Sequence, residues 1–431
     1  MHADVIIVGH DCDAYLIAAL FARRGFRTLL LDPHQPDSQR RMILLDREVA
    51  AKLRPMGPPE EAVEHQFVHV ELWSPSDKGV VRLEQMPLQV VNAAVYREHL
   101  EGEGAASRNL RVLRGHKPIR LVRTRDAATG IGLETGDQIN ARLVVECSFQ
   151  PGALQRQITG HVRQPLLLNR VSAVHAECRS AGDAASAWPI GTLALHWMPG
   201  KQLTWRYRYG TDAVQQGAAL PTQGASKPDK LVERLFVEAG LVAGRVLGRT
   251  SDITYMGPPM PICGSQGFLM VGQAAGHGNP VLPQDHSVRM AAVMLAFQAA
   301  SHALAEGDVG SEALWEYSRG MATEWGRNQA FAWSLFDAVG SAGATIFDDL
   351  FTVGLMTPYA ASCLVRNRVV EEDAMDSLFR SLSAVRKPGA LVAWYKALKR
   401  ARRLASLYSD APTDYRREAV TDWHGRVLEQ W

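Results

Sequence analysis

Cysteine is scarce in this chain of 431 residues, which holds only Cys12, Cys147, Cys178, Cys263 and Cys363. Their odd number, wide spacing and lack of any CxxC pair speak against a disulfide framework or a zinc site. No metal is expected, and a reducing, cytoplasmic setting is. No basic segment followed by a hydrophobic stretch and a cleavage site opens the sequence, so no secretory leader is expected. No run approaches the roughly 18 apolar residues that cross a bilayer, which predicts no integral membrane segment. A surplus of one charge sign is missing as well. Lys plus Arg number 47 against 45 Asp plus Glu, a net charge of +2, which predicts no nucleic-acid partner. Internal repeats and low-complexity tracts are absent. What remains is 46% hydrophobic and 21% charged, the composition of a globular protein, and its length predicts two or three domains.

The chain opens on DVIIVG (Asp4 to Gly9), a short apolar run of the kind buried on both faces of a parallel sheet. AYLIAALFARR (Ala14 to Arg24) follows with helical period and closes at Gly25, and FRTLLLD (Phe26 to Asp32) reads as a second strand. Together they form a βαβ unit. Residues 70–91 and 166–210 alternate apolar and polar, predicting antiparallel strands that share one sheet. In the second stretch Leu203, Trp205, Tyr207 and Tyr209 fall on one face. Between them Arg97 to Ala106 reads as a helix, and Leu110 to Leu113 and Ala141 to Glu146 as strands of the first domain. FLMVG (Phe268 to Gly272) is a further buried strand, leading through a loop rich in Gly, His and Pro into a helix from Ser287 to Ala305.

From about residue 331 the pattern is helical. Residues 384–403 carry seven basic side chains and no acidic one, with Trp394 and Leu398 on one face. A solvated basic face accounts for this stretch; contact with a protein partner or a membrane surface is the alternative.

The strand, tight turn, helix, strand and terminal acid at the start, with Arg97, LVVECSFQPG and the late FLMVGQAAG segment, resemble the flavoprotein superfamily of FAD-dependent aromatic monooxygenases, geranylgeranyl reductases and flavin halogenases. The resemblance spans roughly residues 1–330. It implies an α/β fold: a Rossmann-like FAD-binding domain (residues 1–70, 92–165 and 250–330), an antiparallel-sheet substrate domain (71–91 and 166–249), and a helical C-terminal region (331–431). It further implies FAD lying across the first domain, its ribityl chain at the late loop and its ring facing a sheet-walled cavity. Neither a WxWxIP motif nor a GxGEAT-like stretch is present, so a tryptophan-type halogenase is the least favoured member.

The dinucleotide fingerprint GxGxxG needs its second glycine so that backbone can approach the diphosphate. Here the run is Gly9-His10-Asp11-Cys12-Asp13-Ala14. Gly9 remains, Ala14 is a tolerable third, and Asp11 stands in the second position. Two unit charges about 4 Å apart at an effective dielectric near 20 repel by about 4 kcal/mol, or about three decades in affinity. The family's GDAA becomes Gly272-Gln273-Ala274-Ala275, and Pro283 and Asp285 replace two later glycines. If FAD binds at all, Gly9, Ala14, Asp32, Arg97, Gly272 and Gln273 are the residues implied to hold it. Asp11 or Asp13 capping the first helix, and Asp285 or Ser287 the last, is the plainer reading, and it would satisfy the same donors from within.

Three functions remain open. One is a small-molecule tailoring protein with no FAD or weakly bound FAD. It would use His10, Asp11, Asp285 and His286 as acid/base groups for cyclisation, isomerisation or dehydration of an apolar, aromatic or polyketide-like substrate. Another is a monooxygenase or reductase of specialised metabolism using FAD with NAD(P)H. The last is a non-catalytic partner-binding protein. Trp197, Trp205 and Tyr207 are expected either to wall a substrate cavity or to fill the core.

Overall fold

In the computed structural model the described residues are 2–33, 42–148, 154, 157, 168–177, 189–198, 202–209, 213–221, 245–255, 257–282, 285–371 and 386–431. The sequence expectations for Cys178 and Pro283 lie outside them.

β1 (His2–Val8), α1 (Cys12–Arg23) and β2 (Thr28–Asp32) form the opening unit. Ten of the twelve α1 residues are buried, so this helix is held by apolar packing on both sides rather than by an amphipathic stripe. β3 (Met42–Asp46), the short helix α2 (Arg47–Lys52) and β4 (Val63–Gln66) come next. β5 (His69–Trp73), β6 (Val80–Glu84), β7 (Leu88–Asn92) and α3 (Ala93–Ala105) follow. Asn92 caps α3, its side chain accepting from the N–H groups of Ala94 and Val95, so the helix begins earlier than its hydrophobic pattern predicts. Arg97 therefore lies within α3, not just before it.

A central sheet runs in the order β18, β11, β1, β2, β8, all neighbours parallel, where β8 is Leu110–Arg114, β11 is Gln138–Glu146 and β18 is Phe268–Met270. β9 (Pro118–Thr124) and β10 (Ala127–Leu133) extend it through β11, and β17 (Gly264–Ser265) borders β18. A seven-stranded sheet has the order β16, β12, β15, β14, β13, β5, β6. Its later strands are β12 (Leu168–Glu177), β13 (Thr192–Met198), β14 (Gln202–Tyr209), β15 (Ala213–Pro221) and β16 (Arg245–Tyr255). β5 and β13 are the parallel pair that joins the early and late segments, as the alternating pattern predicts.

Two strands depart from the expected boundaries. β7 leaves the seven-stranded sheet and pairs with β3 and β4 in a small third sheet. Four of its five residues are buried, because Leu88 and Val90 face one core and Val91 another. β16 carries the large sheet beyond residue 250.

α4 (Ser287–Glu306) packs on α1, and α5 (Trp315–Gly320) runs through a π-helical turn, Met321–Gly326, into α6 (Arg327–Ser341). α7 (Ala344–Thr352), α8 (Pro358–Val365), α9 (Pro388–Ser409) and α10 (Arg417–Leu428) complete the C-terminal helices. The expectation of no apolar run of membrane-spanning length is corrected at α4, which is long and apolar enough to qualify. More than half of it is buried inside the protein, the placement of a core helix.

Candidate functional site

Three elements bring the fingerprint residues together. β1 ends at Val8, and a Cβ on Gly9 would stand 2.8 Å from the Cβ of Ala14 and 3.1 Å from that of Cys147. Close packing of α1 on the sheet therefore demands glycine there. Asp11 occupies the N-cap position of α1 but makes no side-chain cap. Its Oδ2 instead lies 3.3 Å from Nη1 of Arg289, in the first turn of α4, and both side chains are buried. The two helix N-termini thus face each other, with a carboxylate from one and a guanidinium from the other joined between them. The charge of Asp11 is therefore compensated within the protein.

The pair is part of a row. His10 Nε2 is 3.5 Å from Asp11 Oδ1, and Arg289 Nη1 is 3.4 Å from His286 Nε2. Because a guanidinium only donates, that nitrogen of His286 accepts, which assigns the ring proton to Nδ1. Three of the four expected acid/base residues, His10, Asp11 and His286, are therefore gathered by a residue that the sequence reading missed.

The fourth stands apart. Asp285 accepts from the Ser287 N–H at 2.8 Å and from its hydroxyl, one residue before the N-cap position of α4, which His286 occupies without a side-chain cap. Burial pushes its carboxyl up to about 6. It lines a cavity of about 270 Å³ that also borders Asp46, Lys52, Trp325 and Arg366. Backbone contacts seal this edge: His286 N–H donates to Leu44 O at 2.8 Å, and Leu44 and Asp285 form a β-bridge.

Two further acids are buried at the start of α1 and the end of β11: Asp13, which the sequence offered only as a helix cap, and Glu146, which was not singled out from the sequence. Asp13, fully buried, sits where a Cβ on Gly272 would come within 2.0 Å of its Oδ2. That oxygen has no hydrogen-bond partner. Burial first, and the charge of Asp11 second, push this carboxyl up to about 7. Glu146, at the end of β11 beside Val8, is also buried with Oε2 unpartnered, and burial pushes it up to about 8. A signal existed for Glu146 in the sequence: an acid ending an apolar strand that lies inside a parallel sheet.

The remaining implied contacts are engaged within the protein. Asp32 accepts a 2.8 Å hydrogen bond from the Tyr15 hydroxyl. Arg97 donates to His10 O at 2.9 Å. Gln273 and Ala14 are buried in the same crevice. His277 lies with its Nε2 3.6 Å from the Cys263 thiol, and burial, with Arg289, holds the ring down to about 3. The Cys147 and Cys263 thiols are pushed up by burial, Cys263 to about 12. Both are small buried hydrophobes rather than nucleophiles.

Trp197, Trp205 and Tyr207 are packed among described residues of the core. All three are at most 2% exposed. Trp197 packs edge-on against Phe336 at 5.6 Å and Tyr207 against Phe67 at 5.2 Å. Val281 and Leu282 of the late loop join the same core. The face expected to meet a substrate is filled by the C-terminal helices and the loop itself.

At the level of sequence, no protein-family model and no curated protein matches the chain. Solved structures do. A geranylgeranyl bacteriochlorophyll reductase-like protein from Thermoplasma acidophilum superposes with a TM-score of 0.73 at 12% identity, over 88% of this chain and 99% of its own. The flavin-dependent brominase Bmp2 gives 0.67 at 14%, over 90% and 100%. PqsL, a probable FAD-dependent monooxygenase from Pseudomonas aeruginosa, gives 0.57 at 15%, over 85% and 100%. The chain therefore has the fold shared by flavin-dependent monooxygenases, halogenases and geranylgeranyl reductase-like proteins, as its motifs led one to expect.

Proposed function

We propose that this protein is a small-molecule tailoring protein in which the FAD crevice has been converted to other use. On this reading it performs acid/base chemistry, such as cyclisation, isomerisation or dehydration, on an apolar or aromatic substrate. The observation that carries the proposal is the buried pair of Asp11 and Arg289 across the two helix N-termini. Paired helix N-termini attract a diphosphate because their N–H groups and dipoles favour an anion. Here an internal carboxylate takes that place and already holds the nearest guanidinium. A diphosphate would have to displace Asp11 from Arg289, and the freed carboxylate would then repel it by about 4 kcal/mol at an effective dielectric near 20. Asp13 fills the space beside Gly272, and Asp32 and Arg97 are engaged elsewhere. On this reading the residues present do not fit FAD.

His10 is the acid/base group best placed for a substrate. Its side chain is 22% exposed, while Asp11 behind it is almost fully buried and 3.5 Å from Nε2. A carboxylate in that position orients the imidazole and stabilises its protonated form. Arg289 then acts as the counter-charge that keeps Asp11 ionised in the interior.

The test is a visible spectrum of the purified protein with titration of added FAD. The wild type is expected to be colourless and to take up FAD poorly. Asp11→Gly, which leaves Arg289 available to a phosphate, is expected to bind FAD at least about tenfold more tightly. Flavin bands in the protein as purified, or no gain in the variant, would overturn the reading and favour the FAD and NAD(P)H oxidoreductase instead.

A further inference from the structure

α2 separates the crevice from a second concavity. Residues 46, 48, 49 and 52 border the cavity at Asp285, whereas residues 47, 50 and 51 turn the other way. On that side α2, the segment 54–59, the strands at Val63 and Gln89 and the helix at His99 enclose a groove of about 520 Å³. This volume is in the range of small-molecule sites.

Its floor is polar in an unusual place. Leu88 and Val90 of β7 face the aromatic core, so Gln89 between them points to the opposite side, into the groove. Gln89 is 6% exposed and lines the groove. Nε2 of His99, also lining the groove, is buried and without a hydrogen-bond partner. A buried polar atom left so costs about 1–3 kcal/mol unless something in the groove completes it. At the rim stand the exposed Arg47, whose guanidinium donates to the neutral Gln66 side chain at 3.2 Å, and the exposed Arg54. Among the described residues no carboxylate lines the groove, and its wall is formed by Pro58, Val63 and neighbouring apolar residues.

We propose that this groove binds a small amphipathic organic anion. Its carboxylate or phosphate lies against Arg47 and Arg54, its apolar body lies on the wall of Pro58 and Val63, and a polar group reaches Gln89 and His99 on the floor. Guanidinium groups pair with either head group. The neutral amide and imidazole beneath them add hydrogen bonds without cancelling the charge. The site stands apart from the crevice and does not depend on what the crevice holds.

The experiment is calorimetric titration of the full chain with benzoate, phenyl phosphate and neutral benzamide, with the Gln89 side-chain amide resonance followed by NMR. One or both anions are expected to bind and to move that resonance, their relative affinity identifying the head group, while benzamide binds at least about tenfold more weakly. Arg47→Ala with Arg54→Ala, two exposed positions that leave the fold intact, is expected to weaken the anion about tenfold, and Gln89→Leu about fivefold. The proposal fails if neither anion binds, if benzamide binds as well as benzoate, or if the double arginine variant binds unchanged. It fails equally if binding is lost in Arg289→Met instead, which would put the anion in the crevice. Because Asp11→Gly leaves this groove untouched, its FAD titration judges the crevice separately.

Discussion

The crevice at the two helix N-termini and the inner face of the seven-stranded sheet are the two places where a flavoprotein fold would present itself to small molecules. In this chain both are filled by its own side chains, and by opposite means. The sheet face is closed by rings: Trp197 on Phe336 and Phe347, Tyr207 on Phe67. The crevice is closed by Asp11 on Arg289, with Asp13 beside them; Glu146 is buried at the end of β11. Packing of rings is insensitive to charge and yields only to a ligand that replaces the whole volume. An ion pair yields to a competing ion, and buried acids yield to pH. On the proposed reading the sheet face is a core, whereas the crevice is a site.

The comparison breaks first at Trp197. If it is core, Trp197→Ala leaves a cavity and costs about 3–5 kcal/mol in urea unfolding. A loss below about 1 kcal/mol would show that Trp197 walls a space a ligand can use, and the two regions would then be alike.

On the crevice side the sharpest perturbation is Arg289→Met. It keeps an unbranched, largely apolar side chain but removes the guanidinium and leaves Asp11 ionised in the interior, an expected cost of about 3 kcal/mol. Adding Asp11→Asn removes the stranded charge, so the double variant should recover most of that loss. If the two losses simply add, the pair is not coupled and Asp11 is held by something else.

Much of this architecture was legible in the sequence because its signals are local. DVIIVG, the helical period after it and the strand ending at Asp32 specify a βαβ unit within some thirty residues, and the alternation around Trp205 specifies an antiparallel strand. The third sheet was harder. MILLD and LQVVN are buried on both faces, so they lack the alternation that distinguishes an antiparallel strand. In the site, Asp11 was readable because a fingerprint gives its position a meaning. Arg289 was not, because its partner lies 278 residues away and pairing over that span leaves no local pattern. A weak signal did exist: Arg289 is the only cation in an otherwise apolar helix, SVRMAAVMLAF, and a buried cation requires an anion. Asp285, by contrast, was over-read. Its spacing before α4 suggests a place at the crevice, but its carboxyl is held by Ser287 and it lines the cavity shared with Asp46 and Arg366.

The smallest effect concerns pH, and it separates the two regions most cleanly. Glu146 and Asp13 are raised from the ordinary carboxylate range to about 8 and about 7. The native state therefore keeps protons that the unfolded chain releases, and stability falls as pH rises from about 4 through about 8. His277 works in the opposite sense. Held down to about 3, it stays neutral where the unfolded imidazole would charge, so its contribution is lost as pH falls from about 6.5 toward 3. Together these groups place maximum stability at mildly acidic pH. Glu146→Gln should flatten the alkaline limb, gaining about 1–3 kcal/mol over wild type at about pH 9 and almost nothing at about pH 4. The loss caused by Trp197→Ala should be the same at both values, since no titrating group takes part in that packing. Urea midpoints measured across this range for the two variants decide the matter: parallel curves for wild type and Glu146→Gln would mean that the crevice carries its acids ionised, and that its chemistry does not differ from the core in the way argued.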